Sequence, residues 1–200
     1  MSLVTVITPT YRRDPLIVQR CIGCVLLQTH RDWEMLMCSD GGREDVIVSL
    51  VARQSDPRIE YHNLTSKKAG DFGNTCRQQM LKKAVGDFIL FLDDDNIILP
   101  TFMEKMVAAL DTSGKDFVVC DALYVYSTNM MIREKMPIVL SGEPVVNGRV
   151  DPVQVLVRTS AMLDIGWDTE VGYNSDGVTL ERLGAKYEHV KVDEVLCLHL

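Results

Sequence analysis

The stretch Phe88-Ile89-Leu90-Phe91-Leu92-Asp93-Asp94-Asp95 is the strongest indication of the fold. Its first five residues form an uninterrupted apolar run, which is typical of a parallel strand buried on both faces of a sheet. Three adjacent carboxylates follow at once, and they repel one another unless a cation or solvent screens them. The sequence therefore predicts a buried strand that carries an anionic cluster to the carboxyl end of a sheet.

Strand and helix patterns alternate on both sides of this stretch. Asp14-Pro15 supplies an N-cap and a proline at the first helical position, and apolar residues then recur at helical spacing. Strands are expected at Val4 to Ile7, Trp33 to Cys38, Ile59 to Tyr61 and Phe117 to Cys120, and helices at Asn74 to Val85 and Pro100 to Leu110. This alternation over residues 3–120 predicts an α/β fold, a Rossmann-like three-layer α/β/α arrangement with a mostly parallel central sheet.

The alternation fails after residue 121. Short, partly antiparallel strands are expected at Tyr124 to Tyr126, Met130 to Ile132, Pro137 to Leu140 and Val153 to Val157, with a helix at Ser175 to Leu183. Two hundred residues suit one domain of ordinary size. We therefore expect a single domain over residues 1–200, with a larger half at about 1–120 and a smaller half at about 121–200.

Composition excludes several classes of protein. The formal net charge of -7 would repel a phosphate backbone, so nucleic acid is not an expected partner. No segment approaches the ~18 apolar residues of a membrane span, and no charged and apolar leader precedes the first strand, so a cytoplasmic location is expected. The six cysteines are expected to be reduced core thiols, and Cys21 and Cys24 lie within a helical pattern without a second pair of zinc ligands.

Three polar clusters follow predicted strands and should meet at one edge of the sheet. They are Thr8-Pro9-Thr10-Tyr11, Ser39-Asp40-Gly41-Gly42 and Asp93-Asp94-Asp95-Asn96. If strand geometry persists, Asp93 and Asp95 face one cleft and Asp94 points away. Hard carboxylate oxygens suit Mn²⁺ or Mg²⁺, which also takes water and substrate phosphate oxygens as ligands. The alternative is a solvated acidic turn, in which Tyr11, Asp40 and Arg77 would only brace loops.

These segments resemble the family 2 glycosyltransferases, inverting enzymes with the GT-A fold. The matching residues are Val4 to Tyr11, Ser39 to Gly41, Gly73 to Gln78 and Gly86 to Asn96. The resemblance implies that residues of these motifs bind the nucleotide of a sugar donor, namely Thr8, Pro9, Tyr11, Asp40, Arg77, Asp93 and Asp94. It also implies that Asp93 and Asp95 form the family's DxD motif and that Asp95 binds the metal. Residues 1–120 would then be the nucleotide-sugar-binding half, and 121–200 the acceptor-side half.

The second half resembles the family more loosely. Asp176 occupies the position of the general base, although Ser175-Asp176 stands where many relatives have an acidic pair. Asp168, Glu170 and Glu181 are therefore rival bases. His199, in a short terminal strand, corresponds to a metal-binding histidine of some relatives, while a surface histidine is the alternative.

The expected activity is a metal-assisted, inverting transfer of sugar from a nucleoside diphosphate, UDP or a similar one, to an acceptor hydroxyl. The acceptor would be a saccharide or a lipid-linked molecule, so peripheral membrane association stays open, as does a homo-oligomer. A non-catalytic nucleotide-sugar-binding module is the alternative from another class. A sugar-1-phosphate nucleotidyltransferase is disfavoured because the loop from Thr8 to Arg13 contains no glycine. Dinucleotide oxidoreductases and P-loop enzymes are disfavoured because the sequence has neither a GxGxxG motif after the first strand nor a P-loop motif.

Overall fold

The computed structural model describes residues 2–41, 44–64, 71–125 and 137–200, which form a nine-stranded sheet with six α-helices. The strands are β1 (Val4–Thr10), β2 (Trp33–Ser39), β3 (Ile59–Asn63), β4 (Phe88–Phe91), β5 (Ile97–Ile98), β6 (Phe117–Tyr124), β7 (Ile138–Leu140), β8 (Val155–Arg158) and β9 (His189–His199). The helices are α1 (Pro15–Leu26), α2 (Asp45–Gln54), α3 (Asn74–Leu81), α4 (Phe102–Ser113), α5 (Thr159–Ile165) and α6 (Ser175–Lys186). Short 3₁₀ helices cover Pro152–Gln154 and Gly172–Asn174.

The sheet is mixed and mostly parallel. Its strand order is β3-β2-β1-β4-β8-β6-β9-β5, and β7 pairs with β6 outside this path. Strands β1 to β4 are parallel to their neighbours in the first half. Strand β8 is antiparallel to both β4 and β6, and β9 is parallel to β6. The predicted α/β fold class is therefore correct. Strands β7 and β8 of the second half are antiparallel, as expected, but β5 of the first half is also antiparallel to its neighbour β9.

Two apolar cores lie on opposite faces of the sheet. Phe88 and Leu90 contribute to the core that also contains residues of α1, α2 and α4. Ile89 and Phe91 contribute to the core that contains residues of α3, α5 and α6. Because successive side chains of a strand point to opposite faces, the apolar run of β4 packs into both cores at once. The three-layer arrangement follows from this double burial.

Helix α1 begins where the sequence predicts. The Asp14 side chain accepts a hydrogen bond of 2.9 Å from the Leu16 N–H, and Pro15 stands in the first turn. All six cysteines are free and buried. Within α1, the Cys24 thiol lies 3.0 Å from the Cys21 carbonyl oxygen, so both thiols are packed into the helix and the core.

Several predicted boundaries differ from the structure for identifiable reasons. Strand β1 continues to Thr10 because it stays paired with β2 as far as Ser39. Helix α3 ends at Leu81 instead of Val85, since the Val85 N–H donates to the Glu34 carboxylate at 3.1 Å and is used to anchor β2. Of the strand predicted at 124–126, Tyr124 is the last residue of β6, residue 125 is not in a strand, and residue 126 lies outside the described residues, as does the whole of 130–132. No helix within the described ranges is long and apolar enough to cross a membrane.

Candidate functional site

The carboxyl ends of β1, β2 and β4 meet at one edge of the sheet, where two cavities adjoin. We name the first the rim cavity; it has a volume of about 550 Å³ and is lined at the strand ends by Pro9, Tyr11, Asp40 and Asp93 to Asp95. We name the second the inner cavity; it has a volume of about 330 Å³ and is lined on the α6 side by Asn147, Asp151, Asn174 and Asp176. The two cavities share a wall made of Phe72, Arg77, Asp93, Tyr173 and His199.

The carboxylate triplet is held by two arginines. Arg77 forms an ion pair with Asp93, while one guanidinium, that of Arg13, reaches both other carboxylates. Arg13 Nε lies 2.8 Å from Asp94 Oδ1, and Arg13 Nη2 lies 3.0 Å from Asp95 Oδ2. The strand geometry on which the expected alternation depended does not persist, because strand pairing ends at Phe91 and Asp94-Asp95 form a turn. All three carboxylates line the rim cavity, with Asp94 buried and the other two partly exposed.

Burial makes the carboxyl groups of Asp94 and Asp95 harder to ionise, since it raises the pKa of both. Burial raises the pKa of Asp94 to about 6, with the nearby charges of Asp93 and Asp95 adding to the effect and Arg13 opposing it. Burial also raises the pKa of Asp95, again against the attraction of Arg13. A further cation at this site would favour the charged form of both carboxylates.

The rim cavity is lined by most of the residues that the family resemblance implies for nucleotide binding. Tyr11 is exposed, and Asp40 is buried and accepts a hydrogen bond of 3.3 Å from the Gly73 N–H. Gly73 has φ +77°, and a Cβ there would lie 2.7 Å from Pro9 Cβ, so no larger residue fits at this crossing. Thr8 is fully buried and belongs to the lining of neither cavity, and its predicted nucleotide contact stays a prediction.

The residues present fit a divalent cation only together with further ligands. Among the described residues, no group of three or more His, Cys, Asp or Glu side chains is close enough to hold a metal ion by itself. Mn²⁺ and Mg²⁺ commonly bind one or two carboxylates and complete their coordination with water and substrate phosphates. The carboxylates of Asp93 and Asp95, which are 33% and 31% exposed in the rim cavity, suit that mode of binding.

His199 lies on the shared wall and is held by a carboxylate. Its Nδ1 lies 2.9 Å from Asp151 Oδ2, and its ring stacks on Tyr124 with centroids 3.9 Å apart. Burial works against its positive charge, but Asp151, Asp93 and Asp95 together raise the pKa of His199 above its ordinary value. Contact with Asp151 through Nδ1 leaves Nε2 as the ring nitrogen that could bind a cation, once the proton is lost.

Asp176 is the candidate base that lies in the inner cavity. It is half-buried in the first turn of α6, and its Oδ1 accepts a hydrogen bond of 2.7 Å from the Gly177 N–H. Burial raises the pKa of Asp176, and the charges of Asp151 and Asp93 raise it further, against the effects of Gly177 and Arg77. A carboxylate with a raised pKa accepts a proton more readily near neutral pH.

The three rival bases have other surroundings. Asp168 is buried and accepts hydrogen bonds from the N–H groups of Glu170 and Val171 at 3.0 and 2.9 Å. Its other oxygen pairs with Arg182 at 3.1 Å, so Asp168 holds together the loop before α6. Glu170 and Glu181 are exposed and line neither cavity.

Sequence reasoning missed several residues of the two cavities. Arg13 stands two residues after Tyr11, and its position next to a strand-end cluster is a signal that could have found it. Phe72, Tyr173 and Asp151 come from distant parts of the chain, and no local pattern identifies them as neighbours.

The family model described as glycosyl transferase family 2 matches residues 5–149. The chain belongs to this family. An Escherichia coli relative named UDP-Glc:alpha-D-GlcNAc-diphosphoundecaprenol beta-1,3-glucosyltransferase WfgD is 35% identical over 117 residues, which are 58% of this chain and 44% of that protein. The family predicted from the motifs is thereby confirmed.

Two solved structures share the fold. Staphylococcus aureus TarS 1–349 in complex with UDP-GlcNAc has a TM-score of 0.79 and 18% sequence identity, covering 98% of this chain and 58% of that one. The mannosyltransferase PcManGT from Pyrobaculum calidifontis, in complex with GDP-Man and Mn²⁺, has a TM-score of 0.73 and 16% identity, covering 99% of this chain and 56% of that one. The fold is that of GT-A glycosyltransferases, as predicted.

The chain spans only part of its relatives. It covers 44% of WfgD and less than a fifth of the first three of the other relatives that it matches.

The hydrogen bonds of Asp168 predict a structural role. In Asp168→Asn, the loop keeps some bonds but loses the charge that Arg182 and the N–H donors stabilise, so the free energy of unfolding at pH 7 should fall by about 1–2 kcal/mol. Burial opposes the carboxylate, but these partners hold the pKa of Asp168 below its ordinary value. Its stabilisation is therefore present above the unfolded-state pKa and is lost as the pH falls through the folded-state pKa.

The difference between wild type and Asp168→Asn should therefore shrink below pH ~4, measured by urea unfolding at several pH values. Glu170→Gln, which changes an exposed neighbouring carboxylate, is the control and should leave stability nearly unchanged. Equal stability of Asp168→Asn and wild type at pH 7 would contradict the structural role.

Proposed function

We propose that this chain transfers a sugar from a nucleoside diphosphate to an acceptor hydroxyl by a single displacement with inversion at the anomeric carbon. The observation that supports this best is the shared wall of the two cavities. Asp93 and Arg77 face both cavities, with the carboxylate triplet on one side and Asp176 on the other. A donor in the rim cavity would thus present its sugar toward an acceptor in the inner cavity.

The proposed donor is a UDP-sugar. The exposed ring of Tyr11 can stack on a pyrimidine, and the Asp40 carboxylate can accept a hydrogen bond from the ring N–H. Two solved GT-A neighbours carry UDP-GlcNAc and GDP-Man, so this fold accommodates nucleoside diphosphate sugars with different bases. The rim cavity, at about 550 Å³, is the larger of the two and has the size of a site for a small-molecule ligand.

The proposed cofactor is Mn²⁺ or Mg²⁺, and its first protein ligand is Asp95, with His199 as a second. When bound, such an ion offsets the negative charge of the diphosphate as it leaves. Arg77 is fixed for a similar electrostatic role, because its Nη1 donates to the Phe72 carbonyl oxygen at 2.9 Å and its guanidinium lies 4.9 Å from the Trp167 ring centre. One GT-A neighbour was solved with Mn²⁺.

The proposed general base is Asp176. It would take the proton of the acceptor hydroxyl as that oxygen bonds to the anomeric carbon and the bond from this carbon to the diphosphate breaks. The bond electrons leave with the diphosphate, so no covalent sugar intermediate on the protein is required. The position of Asp176 in the inner cavity favours it over Asp168, Glu170 and Glu181.

The proposed acceptor presents a sugar ring. Phe72 and Tyr173 are 58% and 78% exposed, lie on the shared wall, and contact each other edge to face with ring centres 5.6 Å apart. Exposed aromatic rings bind the apolar face of a pyranose, while Asn147 and Asn174 in the same cavity can bind its hydroxyls. The WfgD name specifies a GlcNAc carried on diphosphoundecaprenol, and a lipid-linked saccharide used at a membrane surface is compatible with this proposal.

The donor site predicts metal-dependent nucleotide binding. UDP should bind more tightly with Mn²⁺ than without it, and Asp95→Ala should abolish most of that gain because it removes a carboxylate ligand. Isothermal titration calorimetry of UDP with and without Mn²⁺ measures both affinities. Asp111→Ala, which removes an exposed carboxylate from α4, is the control and should behave as wild type. Equal UDP affinity with and without metal in the wild type would rule out the donor proposal.

The acceptor site predicts the effect of Asp176→Asn. The amide keeps the shape but cannot take a proton, so sugar transfer should fall by a factor of ~10² or more while UDP affinity stays nearly unchanged. Glu181→Gln, an exposed change on the same helix, is the matched control and should transfer normally. If Asp176 only caps α6, Asp176→Asn should change stability by about 1 kcal/mol or less and leave turnover intact. Unchanged turnover at saturating substrates would therefore disprove its role as base.

The aromatic pair predicts a selective loss of acceptor affinity. Tyr173→Ala should raise the acceptor KM about tenfold, since stacking of this kind contributes roughly 1–1.5 kcal/mol. Tyr173→Phe keeps the aromatic ring and should retain most of the affinity for the acceptor. The assay uses whichever free or lipid-linked saccharide supports turnover in the wild type. An equal rise in the KM of the donor, or none in that of the acceptor, would show that the pair does not bind the acceptor ring.

A further inference from the structure

Arg13 makes an unusual pair of contacts at the carboxylate triplet. Its Nε donates to Asp94 Oδ1 at 2.8 Å, and its Nη2 lies 3.0 Å from Asp95 Oδ2. The two contacts differ in their surroundings, because the Asp94 side chain is almost fully buried and that of Asp95 is 31% exposed. One end of the guanidinium is thus anchored in the protein, and the other lies on the carboxylate that we assign to the metal.

Arg13 differs from the other two arginines near the triplet. The Arg77 side chain is only 8% exposed and is held by a carbonyl oxygen and an aromatic ring as well as by Asp93. Arg20 donates to the main-chain carbonyl oxygen of Asp95 at 2.7 Å and not to the Asp95 carboxylate. Arg13 is 39% exposed, and the side-chain contacts recorded for it within the described residues are with the triplet carboxylates. It is the arginine that can release a carboxylate without disturbing the core.

We propose that Arg13 occupies the position of the divalent cation on the Asp95 carboxylate as long as no cation is bound. When the cation binds, the Nη2 of Arg13 would leave Asp95 and form hydrogen bonds with the donor diphosphate instead. This inference rests on the proposed donor site. The Nε contact with Asp94 would act as a pivot, and the freed end of the planar guanidinium would turn to phosphate oxygens in the rim cavity, which its fork of N–H donors suits.

A thermodynamic coupling follows from this exchange. A cation that binds alone must displace Arg13 from Asp95, and the displaced Nη2 group then has no anionic partner. A cation that binds with UDP offers Arg13 a diphosphate in return. Each ligand should therefore tighten the binding of the other by the same factor, as linkage requires.

The test uses the whole chain and two probes, Mn²⁺ and UDP. The Mn²⁺ affinity is measured by electron paramagnetic resonance with and without saturating UDP, in the wild type, Arg13→Met and Arg20→Met. Arg20→Met is the matched control, because it removes an equal charge beside Asp95 without freeing its carboxylate. In the wild type, UDP should tighten Mn²⁺ binding by about tenfold or more.

Arg13→Met should bind Mn²⁺ alone about tenfold more tightly than the wild type, and UDP should then tighten it much less. Arg20→Met should keep the wild-type coupling. If Arg13→Met matches Arg20→Met in both quantities, Arg13 is a fixed clamp and the proposal is wrong. If thermal unfolding shows that Arg13→Met does not fold, Arg13→Lys replaces it; a lysine cannot span both carboxylates, so an unchanged coupling in that variant overturns the proposal.

Failure of the donor proposal gives a different result. If UDP binds the wild type neither alone nor with Mn²⁺, the proposed function is wrong, whatever Arg13 does. If UDP and Mn²⁺ bind together but with equal coupling in all three proteins, the proposed function stands and the inference about Arg13 fails.

Discussion

Charge repulsion among Asp93, Asp94 and Asp95 is the constraint on which the site depends. The strand that precedes them packs into both apolar cores, so the main chain cannot move to separate the carboxylates. Arginines from α1, its preceding loop and α3 converge on this point instead. These contacts tie the loop before α1 and helix α3 to the carboxyl edge of the sheet, in addition to the apolar packing of α3, and the cavities form between these elements.

The first half of the fold could be predicted because its signals are local. The apolar run of β4 and the Asp14 cap of α1 each act within a few residues. The second half could not be predicted as well. Strand β9 carries Lys191, Asp193 and Glu194 in its centre, and its pairing with β6 shifts register at Asp121, so no regular alternation survives. Helix α5 has only seven residues, of which two are buried, and such a short helix has little periodicity to detect.

The residues at the strand ends could be predicted from the sequence, whereas the aromatic pair and the choice among the candidate bases could not. Parallel strands end at one edge, so the convergence of Pro9, Asp40 and Asp93 followed from the strand order alone. The aromatic pair of Phe72 and Tyr173 is made by segments far apart in the chain, and only the folded structure brings them together. The sequence also does not distinguish Asp176 from its rivals, because only the folded structure shows that Asp168 accepts hydrogen bonds from the loop before α6 while Asp176 lines the inner cavity.

Two ion pairs at the triplet have opposite physical characters. In the pair of Arg77 and Asp93, the arginine side chain is buried, with 8% exposed, while the carboxylate reaches the cavities. The Phe72 carbonyl that accepts from Arg77 belongs to a residue that also lines the inner cavity. Breaking this pair would leave a buried charge without a partner, which is strongly unfavourable. The contact of Arg13 with Asp95 is open to solvent, and breaking it requires far less free energy. Arg77 is therefore a fixed positive charge on the shared wall, and Arg13 is an exchangeable one at the rim. With this arrangement the ion pairs at the rim can change when ligands bind, while the wall between the cavities keeps its geometry.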